Sequence, residues 1–171
     1  ILKDLYDLAY TTGQLHNGRL TDFSGDSCMI VFEEEKSSER SIESVMEFNA
    51  GFDEVAGEWN IKDKIHSRAG IVNELAFIEE IPTKDNIRLG ILGKAVDLAN
   101  RLCSFAAMGK VLVNKTVRDH TVNNWQYNKM EPLHLSAPRE TLEIFELVGR
   151  KIKKPELRDF SHRKIGSVLV G

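Results

Sequence analysis

The stretch from Ile87 to Val113 constrains the fold of this chain most strongly. It reads as the end of a strand, a glycine-containing loop, an amphipathic helix, a glycine turn and a buried strand. Apolar residues recur within the helix at three- and four-residue spacing and predict one buried face, formed by Ala95, Leu98, Ala99 and Leu102. Asp97 and Arg101 are four residues apart, so we expect their side chains to lie one turn from each other on another face.

The rest of the chain alternates between helical and strand patterns. Helices are predicted over 1–15, after a capping serine at Ser37 or Ser38, and after a cap at Asn114. Strands are predicted over 19–23, 27–32, 65–72, 74–81 and 110–113, with a final hairpin formed by 125–130 and 142–148. Strands that alternate with helices, followed by a terminal antiparallel pair, predict an α/β sandwich with a mixed sheet.

The composition excludes several classes of function. The 171 residues suffice for about one domain, and 42% hydrophobic with 29% charged residues is typical of a globular protein. A net charge of −3 argues against a nucleic-acid-binding surface, and no apolar run is long enough to span a bilayer. The histidines show no metal-ligand spacing. We therefore expect a cytoplasmic protein, or the cytoplasmic part of a larger one.

Three segments resemble motifs of one enzyme family, the class III nucleotide cyclases. The run GKAVDLANRLCSFAAMGKVLV, from Gly93 to Val113, resembles their signature, in which Gly-X-X-Val-Asn-X-Ala-X-Arg opens a helix. Gly18 to Phe32 resembles the family's hairpin with a Gly-Asp tip, and Lys64 to Asn73 resembles its Arg-X-Gly-Ile strand. The chain thus resembles a divergent adenylate or guanylate cyclase catalytic domain. This implies an α+β fold, with a ferredoxin-like core and a mixed, mainly antiparallel sheet covered by helices.

The resemblance also implies an activity and its requirements. The domain would convert ATP or GTP to a 3′,5′-cyclic nucleotide and pyrophosphate for intracellular signalling. Catalysis would use two Mg²⁺ or Mn²⁺ ions at a dimer interface, formed by a homodimer or by a second cyclase domain in tandem. The alternative is a catalytically degenerate cyclase-homology domain that acts as a regulatory, nucleotide-binding or dimerisation module. A third reading, outside the family, is a ferredoxin-like binding domain of unknown ligand.

Two residues match positions that carry chemistry in the family. Asp26 matches a metal-binding aspartate, and its alternative role is to stabilise a hairpin turn through its own side chain. Arg101 matches the arginine that contacts the phosphates in the transition state across the dimer interface. Its alternative role is an exposed ion pair with Asp97, which would contribute little to stability.

Other positions depart from the family pattern. Asp97 stands where the family has the asparagine that orients the ribose, so a neutral amide donor is replaced by an acceptor-only carboxylate. The base-selecting positions are Asp22 and Gly90, which match neither the adenylate nor the guanylate pattern, so the base stays open. Lys94 in the signature loop is a candidate phosphate ligand, with a solvated loop lysine as the alternative.

The resemblance divides the chain into three parts. Residues 1–150 form the cyclase homology domain, which lacks the family's first strand and the metal-binding aspartate that follows it. Residues 151–164 are a basic linker. Residues 165–171 resemble the first strand of a cyclase domain. That strand could begin a second domain in tandem, fill the vacant position in this domain, or exchange into a partner, and the likeness of so short a segment could also be chance.

Overall fold

A computed structural model describes residues 1–61, 64–84, 87–136 and 139–152, without the side chains of Asp22, Ser24, Ile87, Ser136 and Arg139. Its helices are α1 (Leu2–Leu15), α2 (Ser37–Glu58), α3 (Lys94–Phe105) and α4 (Lys115–Thr121). The strands of the first half are β1 (Gly18–Ser24), β2 (Ser27–Phe32), β3 (Ala69–Ile71), β4 (Phe77–Pro82) and β5 (Ile87–Leu92). Those of the second half are β6 (Val111–Asn114), β7 (Trp125–Lys129), β8 (Leu133–Ser136), β9 (Arg139–Leu142) and β10 (Ile144–Arg150).

A four-stranded sheet with the order β3-β6-β10-β7 forms the centre of the fold. Strands β3 and β6 run parallel, with Ala69 opposite Val111, whereas β10 is antiparallel to both of its neighbours. Three antiparallel hairpins surround this sheet: β1–β2, β4–β5 and β8–β9. The predicted mixed, mainly antiparallel sheet covered by helices is confirmed.

The two faces of the central sheet carry separate cores because alternate residues of a strand point to opposite sides. On one face, Ile42 of α2 packs with Val113 and Phe145. On the other face, Leu98 and Leu102 of α3 pack in a second core with Leu112, Leu135 and Ile144. The sheet therefore lies between α2 and α3. The buried face predicted for α3 is confirmed at Leu98 and Leu102, which are almost inaccessible to solvent.

Helix α3 packs closely on strand β3 at Gly70. A Cβ atom at this glycine would lie 2.4 Å from the backbone nitrogen of Cys103 and 2.5 Å from the carbonyl oxygen of Ala99. Only a residue without a side chain permits this approach, so Gly70 sets the distance between the helix and the sheet.

Some local predictions are confirmed and others are wrong. Asn114 caps α4, since its side chain accepts a hydrogen bond from the Val117 amide. The serine cap of α2 is wrong: the helix begins at Ser37 after Lys36, which has φ 61° and makes no capping hydrogen bond. The strand predicted over 65–72 is limited to Ala69–Ile71. The final hairpin exists as β7 paired with β10, but β8 and β9 are inserted between them.

Two further predictions concern the membrane and the end of the chain. Among the described residues, no helix has the length and apolar character needed to cross a membrane. The predicted linker over 151–164 is described only at Lys151 and Ile152, which belong to no helix or strand. The rest of the linker and the strand predicted over 165–171 lie outside the described residues.

Candidate active site

The loop between β5 and α3 brings the signature residues to the surface. Gly93 has φ 136°, a backbone conformation that favours glycine, and helix α3 begins at the next residue. A Cβ atom on Gly93 would lie 3.4 Å from both the carbonyl oxygen of Leu75 and the Cα of Ala76. The signature loop therefore packs directly on the backbone that leads into β4.

Asp97 and Arg101 form an ion pair on the outer face of α3. The Nε of Arg101 lies 2.7 Å from a carboxylate oxygen of Asp97, and 39% of the Arg101 side chain is exposed. Exposed pairs at this spacing contribute only about 0.3–0.5 kcal/mol to stability. The arrangement predicted by their spacing is present, and a catalytic role for either residue stays a prediction.

Lys94 is held by a partner that the sequence did not point to. Its Nζ lies 2.6 Å from one carboxylate oxygen of Glu140 on β9 and 2.8 Å from the other. The hydrogen bond to Glu140 raises the pKa of Lys94, and the charges of Glu140 and Glu74 raise it further. Lys94 is thus charged and already neutralised by a carboxylate, 46 residues away in sequence.

Asp26 lies exposed at the tip of the β1–β2 hairpin, where Gly25 has φ 63°. Burial raises the pKa of the Cys103 thiol on α3, and the Asp26 carboxylate adds a smaller rise. Arg101 precedes Cys103 by two residues, which places it about 200° away around the helix. Arg101 therefore lies on a different side of α3 from Cys103, the residue whose pKa the Asp26 charge affects.

Arg101 lies beside an open groove between α3 and the β8–β9 hairpin. The groove has a volume of about 360 Å³, and its walls include Ser104, Phe105, His134 and Leu135. It thus combines a guanidinium group with apolar surface. Sequence patterns did not predict this groove because β8 was not predicted.

The described residues supply only part of the metal site that the family resemblance implies. Asp26 supplies one exposed carboxylate. Throughout the described part of the chain, no three His, Cys, Asp or Glu side chains are grouped so that they could hold an ion. Two divalent ions need more ligands than one carboxylate provides.

The two positions predicted to select the base lie on different hairpins. Asp22 is opposite Met29 in the β1–β2 hairpin, and its side chain lies outside the described part of the structure. Gly90 is opposite Glu79 in the β4–β5 hairpin, where a Cβ atom would meet Ile81 at 2.8 Å. Gly90 can therefore offer only its backbone to a ligand, and base selection by either residue stays a prediction.

An exposed apolar surface lies at the base of the β4–β5 hairpin. Phe77 and Leu92 are opposite each other in the register, with 82% and 73% of their surface exposed. Leu75 precedes Phe77 by two residues and is 94% exposed. Neighbouring exposed apolar side chains of this size are typical of a protein–protein contact.

Comparison with known proteins identifies relatives of this fold. The family model for the adenylate and guanylate cyclase catalytic domain matches residues 2–149. Among solved structures, the adenylyl cyclase CyaB from P. aeruginosa superposes with a TM-score of 0.76 at 16% identity, over 88% of this chain and 81% of that one. The guanylyl cyclase Cya2 gives 0.76 at 15% identity, over 91% and 81% of the two chains.

A third solved structure contains a nucleotide. It is the guanylate cyclase domain of RhGC from Catenaria anguillulae in complex with GTP, which superposes with a TM-score of 0.71 at 10% identity, over 88% of this chain and 82% of that one. No curated protein sequence matches the chain.

Proposed function

Because the chain belongs to the adenylate and guanylate cyclase catalytic domain family, we propose that it is a nucleotide cyclase domain that works as a dimer. It would convert ATP or GTP to a 3′,5′-cyclic nucleotide and pyrophosphate. One observation carries the proposal: Arg101, which matches the family's transition-state arginine, lies on an open groove beside β8 and about 200° around α3 from Cys103, the residue whose pKa the Asp26 charge affects. In the proposed dimer, a shared site would take Asp26 from one copy and Arg101 from another.

The partner in this proposal is a second copy of the chain or a second cyclase domain in tandem. The exposed apolar surface of Leu75, Phe77 and Leu92 supports such a contact, because its burial would remove apolar area from water. The segment 165–171, proposed as the first strand of a cyclase domain, would supply the tandem or exchanged arrangement. The activity would serve intracellular signalling from a cytoplasmic location.

Each candidate residue has a distinct proposed role. Arg101 would stabilise the charge that develops on the phosphate oxygens, for which its guanidinium group is well suited. Asp97 would face the ribose, and Lys94 would contact a phosphate after release from Glu140. Asp22 and Gly90 would lie near the base, which can be adenine or guanine.

The proposed metal dependence needs residues beyond those described. Asp26 would be one ligand of a Mg²⁺ or Mn²⁺ ion. Among the described residues, Asp26 belongs to no group of three or more His, Cys, Asp or Glu side chains that could hold an ion. The second carboxylate of a two-ion site would come from elsewhere, either from residues outside the described ranges or from another domain.

A second candidate function is a regulatory, nucleotide-binding or dimerisation module without turnover. The ion pairs favour it: Arg101 is tied to Asp97 at 2.7 Å and Lys94 to Glu140 at 2.6 Å. Both cations are thus neutralised before a triphosphate arrives, and Asp97 adds a negative charge where the substrate is negative.

The experiment that separates the two candidates is a product assay on paired arginine variants. The purified chain is incubated with Mn²⁺ and ATP or GTP, and cyclic nucleotide is measured by chromatography. We expect R101A to lose the activity and R118A to keep it. Arg118 is a matched control because its side chain is 40% exposed and paired with Asp119, as Arg101 is 39% exposed and paired with Asp97.

The outcomes assign the function directly. Equal rates for R101A and the wild type would refute the role of Arg101. A wild type that binds nucleotide without product would support the module. In the catalytic case D97N should raise the rate about tenfold, since ~1.4 kcal/mol of repulsion removed from the transition state has that effect. A rate unchanged by D97N would show that Asp97 does not face the substrate.

A further inference from the structure

We propose that Asn114 is a positioning residue for the signature loop that opens helix α3, an inference that rests on the function proposed for that loop. Asn114 ends β6 and lies in the core, with 1% of its surface exposed. Its role as the cap of α4 uses only one of its hydrogen bonds. The remaining hydrogen bonds are directed at the segment that supports the signature loop.

The side-chain amide of Asn114 uses both its oxygen and its nitrogen to bind the consecutive residues Asn73 and Glu74. Its Oδ1 accepts from the amide of Val117 at 3.2 Å, which is the cap, and from the amide of Asn73 at 3.3 Å. Its Nδ2 donates to the carbonyl of Asn73 at 3.5 Å and to Oε1 of Glu74 at 3.2 Å. A serine at this position would cap α4 equally well. What only the longer amide side chain provides is the set of hydrogen bonds to Asn73 and Glu74.

Asn73 is also fixed from the opposite side. Its Nδ2 donates to the hydroxyl of Ser38 at 2.8 Å and to that of Ser37 at 3.3 Å. Ser38 is 3% exposed and lies 3.3 Å from Nδ1 of His120. The segment after β3 is thus held by side chains from both α2 and β6, and buried polar networks of this kind are rigid when every member is satisfied.

The held segment touches the signature loop in two ways. Leu75 and Ala76 follow Glu74 directly, and their backbone is where a Cβ atom on Gly93 would meet its nearest neighbours, at 3.4 Å. The Glu74 carboxylate is also close enough to Lys94 to contribute to its raised pKa, after the larger effect of Glu140. Asn114 therefore fixes the backbone on which the signature loop packs, and it also fixes the Glu74 carboxylate near Lys94.

Reversal of the hydrogen bond between positions 114 and 74 tests this role. N114D keeps both acceptor contacts but loses the donor to Glu74 and to the Asn73 carbonyl, and it places two carboxylates together. In the double variant N114D/E74Q, the new amide at position 74 can donate to the new carboxylate at position 114. E74Q alone is the matched control, since Asn114 can still donate to the amide oxygen. N114S retains a capping oxygen and serves if N114D does not fold.

Amide hydrogen exchange read by mass spectrometry gives a result that does not depend on turnover. We expect exchange over residues 91–97 to rise about tenfold in N114D, as for the loss of one buried hydrogen bond. Exchange in E74Q should stay within about twofold of the wild type. Exchange in N114D/E74Q should lie between those of N114D and the wild type, because the hydrogen bond to the Asn73 carbonyl is not restored. The proposal is overturned if exchange over 91–97 is unchanged, or if it rises throughout the chain without rescue.

Kinetics then test the consequence for the reaction. With product formation in the wild type, N114D should lower kcat about tenfold at nearly constant KM, and E74Q should recover part of that loss in the double variant. An equal loss in the double variant would refute positioning. A wild type without product overturns the catalytic form of the proposed function, while the exchange measurement still decides the role of Asn114.

Discussion

The close approach of α3 to β3 gives a stability prediction of definite sign. In G70A, the new methyl group would lie 2.4 Å from the Cys103 nitrogen, 2.5 Å from the Ala99 oxygen and 2.7 Å from Cβ of Leu102. Ordinary contacts are about 3.5–4.0 Å, so the overlap is about 1 Å. Two of the three atoms belong to the helix backbone and cannot rotate away. Helix α3 would have to move from the sheet, together with its buried leucines.

Overpacking of a core costs about 1–3 kcal/mol, and a clash with backbone belongs at the upper end. We expect G70A to lower the free energy of unfolding by about 3 kcal/mol. In a domain of this size each kcal/mol shifts Tm by about 2–4 °C, so Tm should fall by about 6–12 °C. The control is G57A in α2, where a Cβ atom meets nothing within 4 Å. It should raise stability by up to about 1 kcal/mol through helix propensity.

The assay is urea unfolding followed by circular dichroism, with a thermal melt as a second measurement. Opposite shifts of G70A and G57A are the expected result. A Tm of G70A within about 2 °C of the wild type would refute the reasoning, because about 3 kcal/mol cannot give so small a shift in a domain of this size. It would mean that α3 tolerates a wider spacing from β3.

Three further predictions concern single side chains. L102A should cost about 2–5 kcal/mol in urea unfolding, because Leu102 is completely buried and its truncation leaves a cavity; a cost below about 1 kcal/mol would contradict this packing. The hydrogen bond from Lys115 lowers the pKa of Asp119 below its ordinary value of 3.8. The ionised carboxylate therefore stabilises the fold above that pH, and this contribution is lost as the pH falls through the folded-state pKa. D119N should weaken the dependence of urea unfolding on acid pH, and a pH profile identical to that of the wild type would refute the prediction. E140Q should lower the pKa of Lys94, as measured by an NMR titration, and should tighten nucleotide binding, as measured by calorimetry. An unchanged nucleotide affinity would exclude Lys94 as a phosphate ligand.

Local signals predicted much of this fold. Helix α3 followed from the spacing of Leu98 and Leu102, because periodicity depends only on near neighbours. The cap at Asn114 followed from its side-chain chemistry in the same way. The cap of α2 was wrong because Lys36 takes the left-handed conformation, which is uncommon for a residue with a side chain.

The candidate site was less predictable because its contacts join distant parts of the chain. The spacing of Asp97 and Arg101 predicted their pairing. Nothing local indicated that Lys94 would meet Glu140, since that contact depends on the unpredicted hairpin β8–β9. The effect of the Asp26 charge on the Cys103 pKa likewise depends on where the β1–β2 hairpin packs. Tertiary packing, which a single sequence does not encode locally, decides these distances.

The order of strands in the central sheet also determines when the chain can fold during synthesis. Strand β10 lies between β6 and β7, yet it is the last described strand to be made. Ile42 of α2 belongs to the core that contains Phe145 of β10. The ribosome delivers the N-terminal half first. Ile71 of β3 and Val113 of β6 belong to the same core and are made earlier, so α2 is partly covered before β10 emerges and the core is complete only afterwards. Among the described strands, the one that completes the core around α2 is therefore the last to be made.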